Sequence, residues 1–150
     1  MAAIVMIVQN ERQRTNADIL DLPGLLERQA AALMNFTAPA FAVSDLDGQP
    51  VNLDDYTGRV VFLNFWTTDC PPCVRELPAF EQFAREQGET GAAVLTVNMG
   101  DSETLIREFL AEHGISGLRV ALDTEGDVGQ QYGIMARPVT YIIDAAGIVR

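Results

Sequence analysis

The only two cysteines of the chain, Cys70 and Cys73, stand two residues apart in the stretch NFWTTDCPPCVRELP. They follow the near-continuous apolar run GRVVFLNFW, which predicts a buried strand, and they precede a helical pattern. A cysteine at such a junction lies beside the unpaired N–H groups and the positive end of the helix, which stabilise a thiolate. Since the thiolate is the nucleophile in disulfide exchange, the motif predicts redox chemistry at Cys70.

The two prolines between the cysteines stiffen this motif. In a helical first turn the Cys73 sulfur comes within bonding reach of Cys70, so a mixed disulfide at Cys70 can be resolved within the chain. Pro71 and Pro72 would occupy positions whose N–H groups are unpaired in any helix, so they cost no helical hydrogen bonds.

Two other interpretations of the cysteine pair are weaker. A structural disulfide gains little stability from closing so short a loop. A tetrahedral zinc site needs four ligands, and beyond the cysteines the chain offers carboxylates and one histidine, His113, on a different predicted helix. We therefore expect no metal and no cofactor apart from the redox-active disulfide itself.

Composition excludes several functional classes. With 150 residues, 48% of them hydrophobic, and no low-complexity block, the chain is expected to form one globular domain and to be a monomer. Its net charge of -11, with ten arginines and no lysine, opposes binding to nucleic acid. The apolar residues 2–8 are too few to span a bilayer, so membrane association is expected only through a missing or trimmed N-terminal anchor.

The remaining pattern alternates strands and helices. DLPGLLERQAAALM (residues 21–34) predicts an amphipathic helix, and FAVSDLDGQPVNL predicts a hairpin that turns at Asp47 and Gly48. The cysteines are followed by a helix, and Pro78 should either kink this helix or break its first hydrogen bonds. A second helix is predicted in DSETLIREFLAEHG, with Asp101 or Ser102 as its cap. The strand AAVLTVN lies between the two helices, and after the second come the strand LRVALD, a helical turn in EGDVGQQYG, the strand VTYIID and the segment GIVR. A β-α-β unit followed by an antiparallel pair predicts an α/β fold with a mixed sheet.

The stretches APAFAVSDLDGQPVNLDDYTGRVVFLNFWTTDCPPCVRELP and YGIMARPVTYIIDAAGIVR resemble thioredoxin-fold proteins of the TlpA/ResA type. These are membrane-associated, extracytoplasmic thiol–disulfide oxidoreductases that include cytochrome c maturation factors. The resemblance implies an N-terminal extension (1–37), with the amphipathic helix, and a thioredoxin-like domain (38–150), whose mixed central sheet is flanked by helices and preceded by a β-hairpin. The family fold continues beyond the segment GIVR into a C-terminal helix, so we expect this sequence to be either a fragment or a truncated member that lacks that helix.

The same resemblance implies roles for individual residues. Cys70 is the attacking thiol, Cys73 the resolving thiol, and Glu76 the acidic residue that the family carries shortly after the second cysteine. Pro138 matches the cis-proline whose loop faces the cysteines, which places Arg137 and Pro138 at the substrate-binding loop. Thioredoxin itself has a buried aspartate at the position of Asn64, so proton handling here is expected to pass to Glu76.

One charge departs from the family pattern. The residue before the first cysteine is usually tryptophan, but here it is Asp69, whose negative charge opposes thiolate formation at Cys70. Arg137 would act in the opposite direction if its guanidinium approached the Cys70 sulfur. We therefore expect Asp69, with Pro71 and Pro72, to tune the redox properties of the pair.

The resemblance favours a protein-disulfide reductase that exchanges disulfides with protein thiols and receives electrons from an upstream thiol donor. It implies a location in the periplasm or on the outer face of the cytoplasmic membrane, while the residues themselves do not exclude a cytoplasmic location.

Two alternative functions are compatible with the same fold. A peroxiredoxin-like peroxide reductase would place a proline before Thr67 or Thr68, and a copper-binding metallochaperone would have a longer Cys-to-Cys spacing. The residues identify neither the substrate nor the direction of electron flow.

Overall fold

The computed structural model describes residues 33–150. Their elements are, in order, strand β1 (Ala42–Ser44), strand β2 (Pro50–Asn52), a 3-10 helix (Leu53–Tyr56), strand β3 (Val61–Trp66), helix α1 (Pro71–Gln87), strand β4 (Ala93–Met99), helix α2 (Glu103–Glu112), strand β5 (Arg119–Asp123), helix α3 (Asp127–Gln131) and strand β6 (Val139–Ile143). None of the helices in this part of the chain is long and apolar enough to cross a membrane. The predicted helix at 21–34 and the apolar residues 2–8 lie outside the described residues, apart from 33 and 34.

The central sheet has the strand order β5-β4-β3-β6. Strands β3, β4 and β5 are parallel, and β6 runs antiparallel to β3. The shorter strands β1 and β2 form the predicted hairpin. This is the expected mixed sheet, and the segment GIVR returns beside β6, where Val149 forms an antiparallel bridge with Ile143.

Strand β3 is buried on both faces, as its continuous apolar sequence predicts. On one face, Leu63 and Phe65 join the larger core cluster, where the Phe65 ring lies 5.2 Å from that of Tyr132. On the opposite face, Trp66 packs with Leu77 of α1. Because both faces are covered, β3 delivers the chain at a fixed position to the cysteine loop that follows it.

Helix α1 packs against this second face of the sheet. It begins at Pro71 and continues through Pro78 to Gln87, so the internal proline does not end it. Proline removes one helical hydrogen bond, but apolar contacts anchor the helix on both sides of it. Cys73 and Leu77, which precede Pro78 in the helix, are buried. Phe83, which follows it, has its ring 5.0 Å from that of Phe62.

Helix α2 starts and ends largely as its sequence predicts. Ser102 is the N-cap, and its Oγ accepts the backbone N–H of Leu105. His113 is the C-cap, and Gly114 follows with a φ of 65°, a conformation that favours glycine. Of the two predicted caps, Ser102 is therefore the one that the structure uses, which leaves the Asp101 carboxylate available for other contacts.

Candidate active site

Cys70 and Cys73 form a disulfide at the start of α1, with an S–S distance of 2.03 Å. Cys70 is the N-cap of the helix, and its Sγ accepts the backbone N–H of Cys73 across 3.3 Å. Cys70 is 8% exposed and Cys73 is 1% exposed. Cys70, the more exposed of the two residues, thus has its sulfur beside a helical N–H that would stabilise a thiolate.

Pro71 and Pro72 are exposed and form the first two residues of α1. At these positions the missing N–H groups leave no helical hydrogen bond unmade. Their rings restrict the backbone between the two cysteines, as the sequence predicts.

The peptide bond between Arg137 and Pro138 is cis, which confirms the prediction for this proline. Pro138 immediately precedes β6, whose first residue, Val139, pairs with Phe65 of β3. Because Phe65 lies one residue before the end of β3, the proline loop and the cysteine loop emerge from the same edge of the sheet. The structure thereby brings Pro138 to the end of the fold that carries the cysteines.

The two charges expected to tune Cys70 are both exposed. The Asp69 carboxylate accepts the hydroxyl hydrogen of Thr67 across 2.6 Å, so it is engaged within its own loop. Arg137 lies beside the cis-proline with an exposed side chain. Solvent screening weakens the effect of such charges on a neighbouring sulfur, so we predict only a modest effect of Asp69 and Arg137 on the Cys70 pKa.

Glu76 lies one turn beyond Cys73 and is exposed. It lines a cleft of about 440 Å³ between α1 and β6, together with Arg75, Phe80, Thr140 and further apolar side chains of α1 and β3. The Glu76 side chain is therefore open to solvent.

Asn64 lies on the buried face of β3 beside this cleft. It is 1% exposed, and its Nδ2 donates to the Thr140 Oγ1 across 3.1 Å. Within residues 33–150 its Oδ1 has no hydrogen-bond partner. A buried amide has no ionisable proton at neutral pH, so Asn64 cannot act as a proton acceptor, and the role of Glu76 in proton handling stays a prediction.

Sequence reasoning assigned Asp101 only a possible capping role, but the structure places it against the cysteine loop. Its Oδ2 accepts the backbone N–H of Thr68 across 2.7 Å and the side-chain amide of Asn98 across 2.9 Å. Thr68 and Asp101 are 33 residues apart, so no local pattern could have revealed the contact. The only available signal was the position of both residues just after neighbouring parallel strands.

The single histidine lies at the C-terminal end of α2. His113 follows α2, where its Nδ1 is 2.9 Å from the Phe109 carbonyl oxygen and its ring stacks on that of Phe109. In the part of the chain that the structure describes, no group of three or more His, Cys, Asp or Glu side chains is placed to hold a metal ion.

Comparison with known proteins gives one family and a consistent set of relatives. Residues 34–150 match the family model of the AhpC/TSA family. The thiol-disulfide oxidoreductase ResA of Geobacillus thermodenitrificans is 35% identical over 122 residues, which are 81% of this chain and 70% of that protein. ResA of Bacillus subtilis is 34% identical over 112 residues, which are 75% of this chain and 62% of that protein.

Solved structures agree with these relatives. A protein described as a DsbE-type thiol:disulfide interchange protein, from Chlorobium tepidum, has a TM-score of 0.69 and 34% identity, over 75% of this chain and 79% of that chain. The exposed lipoprotein thioredoxin Etrx1 of Streptococcus pneumoniae has a TM-score of 0.67 and 29% identity, over 75% of this chain and 86% of that chain.

Proposed function

This chain belongs to the AhpC/TSA family and, within it, to the ResA-like thiol–disulfide oxidoreductases, and we propose that it reduces disulfides of other proteins through Cys70 and Cys73. The observation that carries the proposal is the disulfide at the N-terminus of α1, with the more exposed sulfur at the N-cap. The chain spans 62 to 70% of the length of the two ResA relatives described above, so substrates and partners are part of the proposal.

The proposed reaction has two exchange steps. In the reduced protein the Cys70 thiolate attacks a substrate disulfide, forms a mixed disulfide and releases one substrate thiolate. The Cys73 thiolate then attacks the Cys70 sulfur, which releases the second substrate thiol and restores the Cys70–Cys73 disulfide. Two electrons pass to the substrate, and an upstream thiol donor returns two electrons to the pair.

The environment of each sulfur supports this division of roles. A substrate can reach Cys70, which is 8% exposed, whereas Cys73 is almost fully covered. Cys73 is nevertheless bonded to Cys70 in this structure, so its sulfur can reach the Cys70 sulfur once a mixed disulfide has formed. The cis-proline loop at the same edge of the sheet is the surface against which an extended substrate segment would lie.

We further propose that the protein works outside the cytoplasm, in the periplasm or on the outer face of the membrane, and contributes to cytochrome c maturation. The similarity to ResA proteins and to an exposed lipoprotein thioredoxin supports this location. Reduction rather than oxidation is part of this proposal, which follows the resemblance to the TlpA/ResA type, and it depends on the reduction potential of the cysteine pair relative to its surroundings.

The test is reduction of insulin disulfides by the full chain, with dithiothreitol as electron donor, beside measurement of the reduction potential in a glutathione buffer. We expect reduction to depend on both cysteines and the potential to lie well below the glutathione poise. The variant with both Cys70→Ser and Cys73→Ser is the background control. A potential well above that poise would indicate an oxidant, and peroxide consumption or stoichiometric copper binding without disulfide reduction would favour the alternatives.

A further inference from the structure

Two loops meet at the carboxyl ends of the parallel strands β3 and β4. The first, residues 67–69, leads from β3 to Cys70, and the second, residues 100–102, leads from β4 to α2. A single side chain joins them, because the Asp101 Oδ2 accepts the backbone N–H of Thr68 across 2.7 Å. Thr68 lies only two residues before Cys70, so this contact holds the backbone that carries the attacking sulfur.

The Asp101 side chain is itself held in a fixed orientation. Its Oδ2 also accepts the side-chain amide of Asn98, and its backbone N–H donates to the Asn98 Oδ1 across 3.2 Å. Asn98 is 1% exposed, near the end of β4. Gly100, with a φ of 82°, makes the turn between them in a conformation that favours glycine. The two hydrogen bonds between Asn98 and Asp101 therefore fix the position of the Asp101 carboxylate relative to the sheet.

We propose that Asp101 is a positioning residue that holds the Thr67–Asp69 loop, and through it Cys70, in the geometry required for attack on a disulfide. The inference deepens the proposed function and rests on it. A charge-assisted hydrogen bond to a backbone N–H is about twice as strong as a neutral one, so one carboxylate can fix a short loop. If the loop moved, the Cys70 Sγ would leave the Cys73 N–H to which it is hydrogen-bonded.

Capping of α2 does not account for the Asp101 side chain. The cap is Ser102, whose Oγ accepts the Leu105 N–H across 3.3 Å. Asp101 instead directs its carboxylate across the end of the sheet, to a residue on the preceding β-α loop. Its contribution should therefore be measurable at Cys70 and separable from the stability of α2.

The experiment compares Asp101→Ala with Asp101→Asn, each in a Cys73→Ser background where Cys70 is the only thiol. Both substitutions remove the charge, but the asparagine retains an oxygen that can accept from Thr68 and Asn98. The two variants therefore differ in the hydrogen bond and not in the charge. Ser102→Ala is the matched control, since it weakens the neighbouring helix by removing its cap and leaves the Thr68 contact intact.

The readouts are the pH profile of Cys70 alkylation, the rate of its exchange with glutathione disulfide, and hydrogen exchange at the Thr68 amide. Relative to Asp101→Asn, the alanine variant should show a higher Cys70 pKa, about tenfold slower disulfide exchange and faster exchange at Thr68. Equal values for the two variants, or the same losses in Ser102→Ala, would overturn the positioning role. These readouts need no protein substrate, so a difference here combined with no insulin reduction would reject only the proposed function.

Discussion

The backbone N–H of Cys73 donates to the Sγ of Cys70, so the residue predicted to carry the resolving sulfur would also stabilise a thiolate at Cys70. This contact uses the main chain, and it therefore persists when the Cys73 side chain is replaced. The two residues also differ in exposure, 8% for Cys70 against 1% for Cys73. This difference in exposure supports the proposal that Cys70 attacks and Cys73 resolves.

The first prediction follows from that asymmetry. Cys73→Ser should accumulate mixed disulfides with substrate, because Cys70 still attacks but nothing resolves the product, whereas Cys70→Ser should accumulate almost none. The measurement is non-reducing electrophoresis of each variant after incubation with an oxidised protein substrate. Equal trapping by both variants would contradict the assigned roles.

The second prediction concerns Glu76, which lines the cleft between α1 and β6. Since the neighbouring buried side chain on β3 is the neutral Asn64, Glu76→Gln should slow the resolution step by about tenfold or more and shift its pH dependence. Rapid-mixing kinetics of a preformed mixed disulfide across a pH series measure that step. Glu86→Gln, on the exposed side of the same helix, is the control, and an unchanged Glu76→Gln profile would make Glu76 an ordinary surface residue.

The elements around the cysteines were predictable because each has a clear signal in the local sequence. The apolar run of β3, the prolines at the start of α1 and the threefold spacing of its apolar residues all predicted the strand, loop and helix that the structure contains. The cis geometry at Pro138 was predictable only through the family resemblance, since no local pattern distinguishes a cis from a trans proline.

What sequence reasoning missed depends on contacts between distant residues. Asp101 stands directly before Ser102, and both are common N-cap residues, so local rules could not decide which one caps α2. Its contact with Thr68 exists only because β3 and β4 are neighbours in the sheet.

The third prediction concerns the hydrogen bonds that join α1 to the loop after α2. The Glu81 Oε1 accepts the backbone N–H groups of Ser116, across 2.7 Å, and of Gly117. These hydrogen bonds to the charged form lower the pKa of Glu81 below its usual value of 4.5. A lowered pKa in the folded state means that the stabilisation is complete above the unfolded-state pKa and is lost as the pH falls through the folded-state pKa.

Glu81→Ala should therefore lower the free energy of unfolding at neutral pH by about 1 kcal/mol, because two backbone donors lose their partner and turn to water. The deficit should shrink in acid, where the wild-type carboxyl is also protonated. Urea unfolding of the oxidised protein at neutral and acidic pH measures both values, with Glu86→Ala as the control on the exposed face of α1. A deficit that stays constant with pH would show that the charge of Glu81 is not involved.

The last prediction concerns Asp69 and Arg137, the two exposed charges beside Cys70 and the cis-proline. Asp69→Asn should lower the Cys70 pKa because it removes a negative charge, and Arg137→Ala should raise it because it removes a positive one. Exposure keeps each shift below about one unit, and added salt should reduce both. The pH dependence of alkylation, in the Cys73→Ser background at low and high salt, measures both pKa shifts.

The Asp69 carboxylate also accepts the Thr67 hydroxyl, so Thr67→Val serves to separate loss of that hydrogen bond from loss of charge. Shifts in the same direction for both charge variants, or shifts that salt leaves unchanged, would contradict electrostatic tuning.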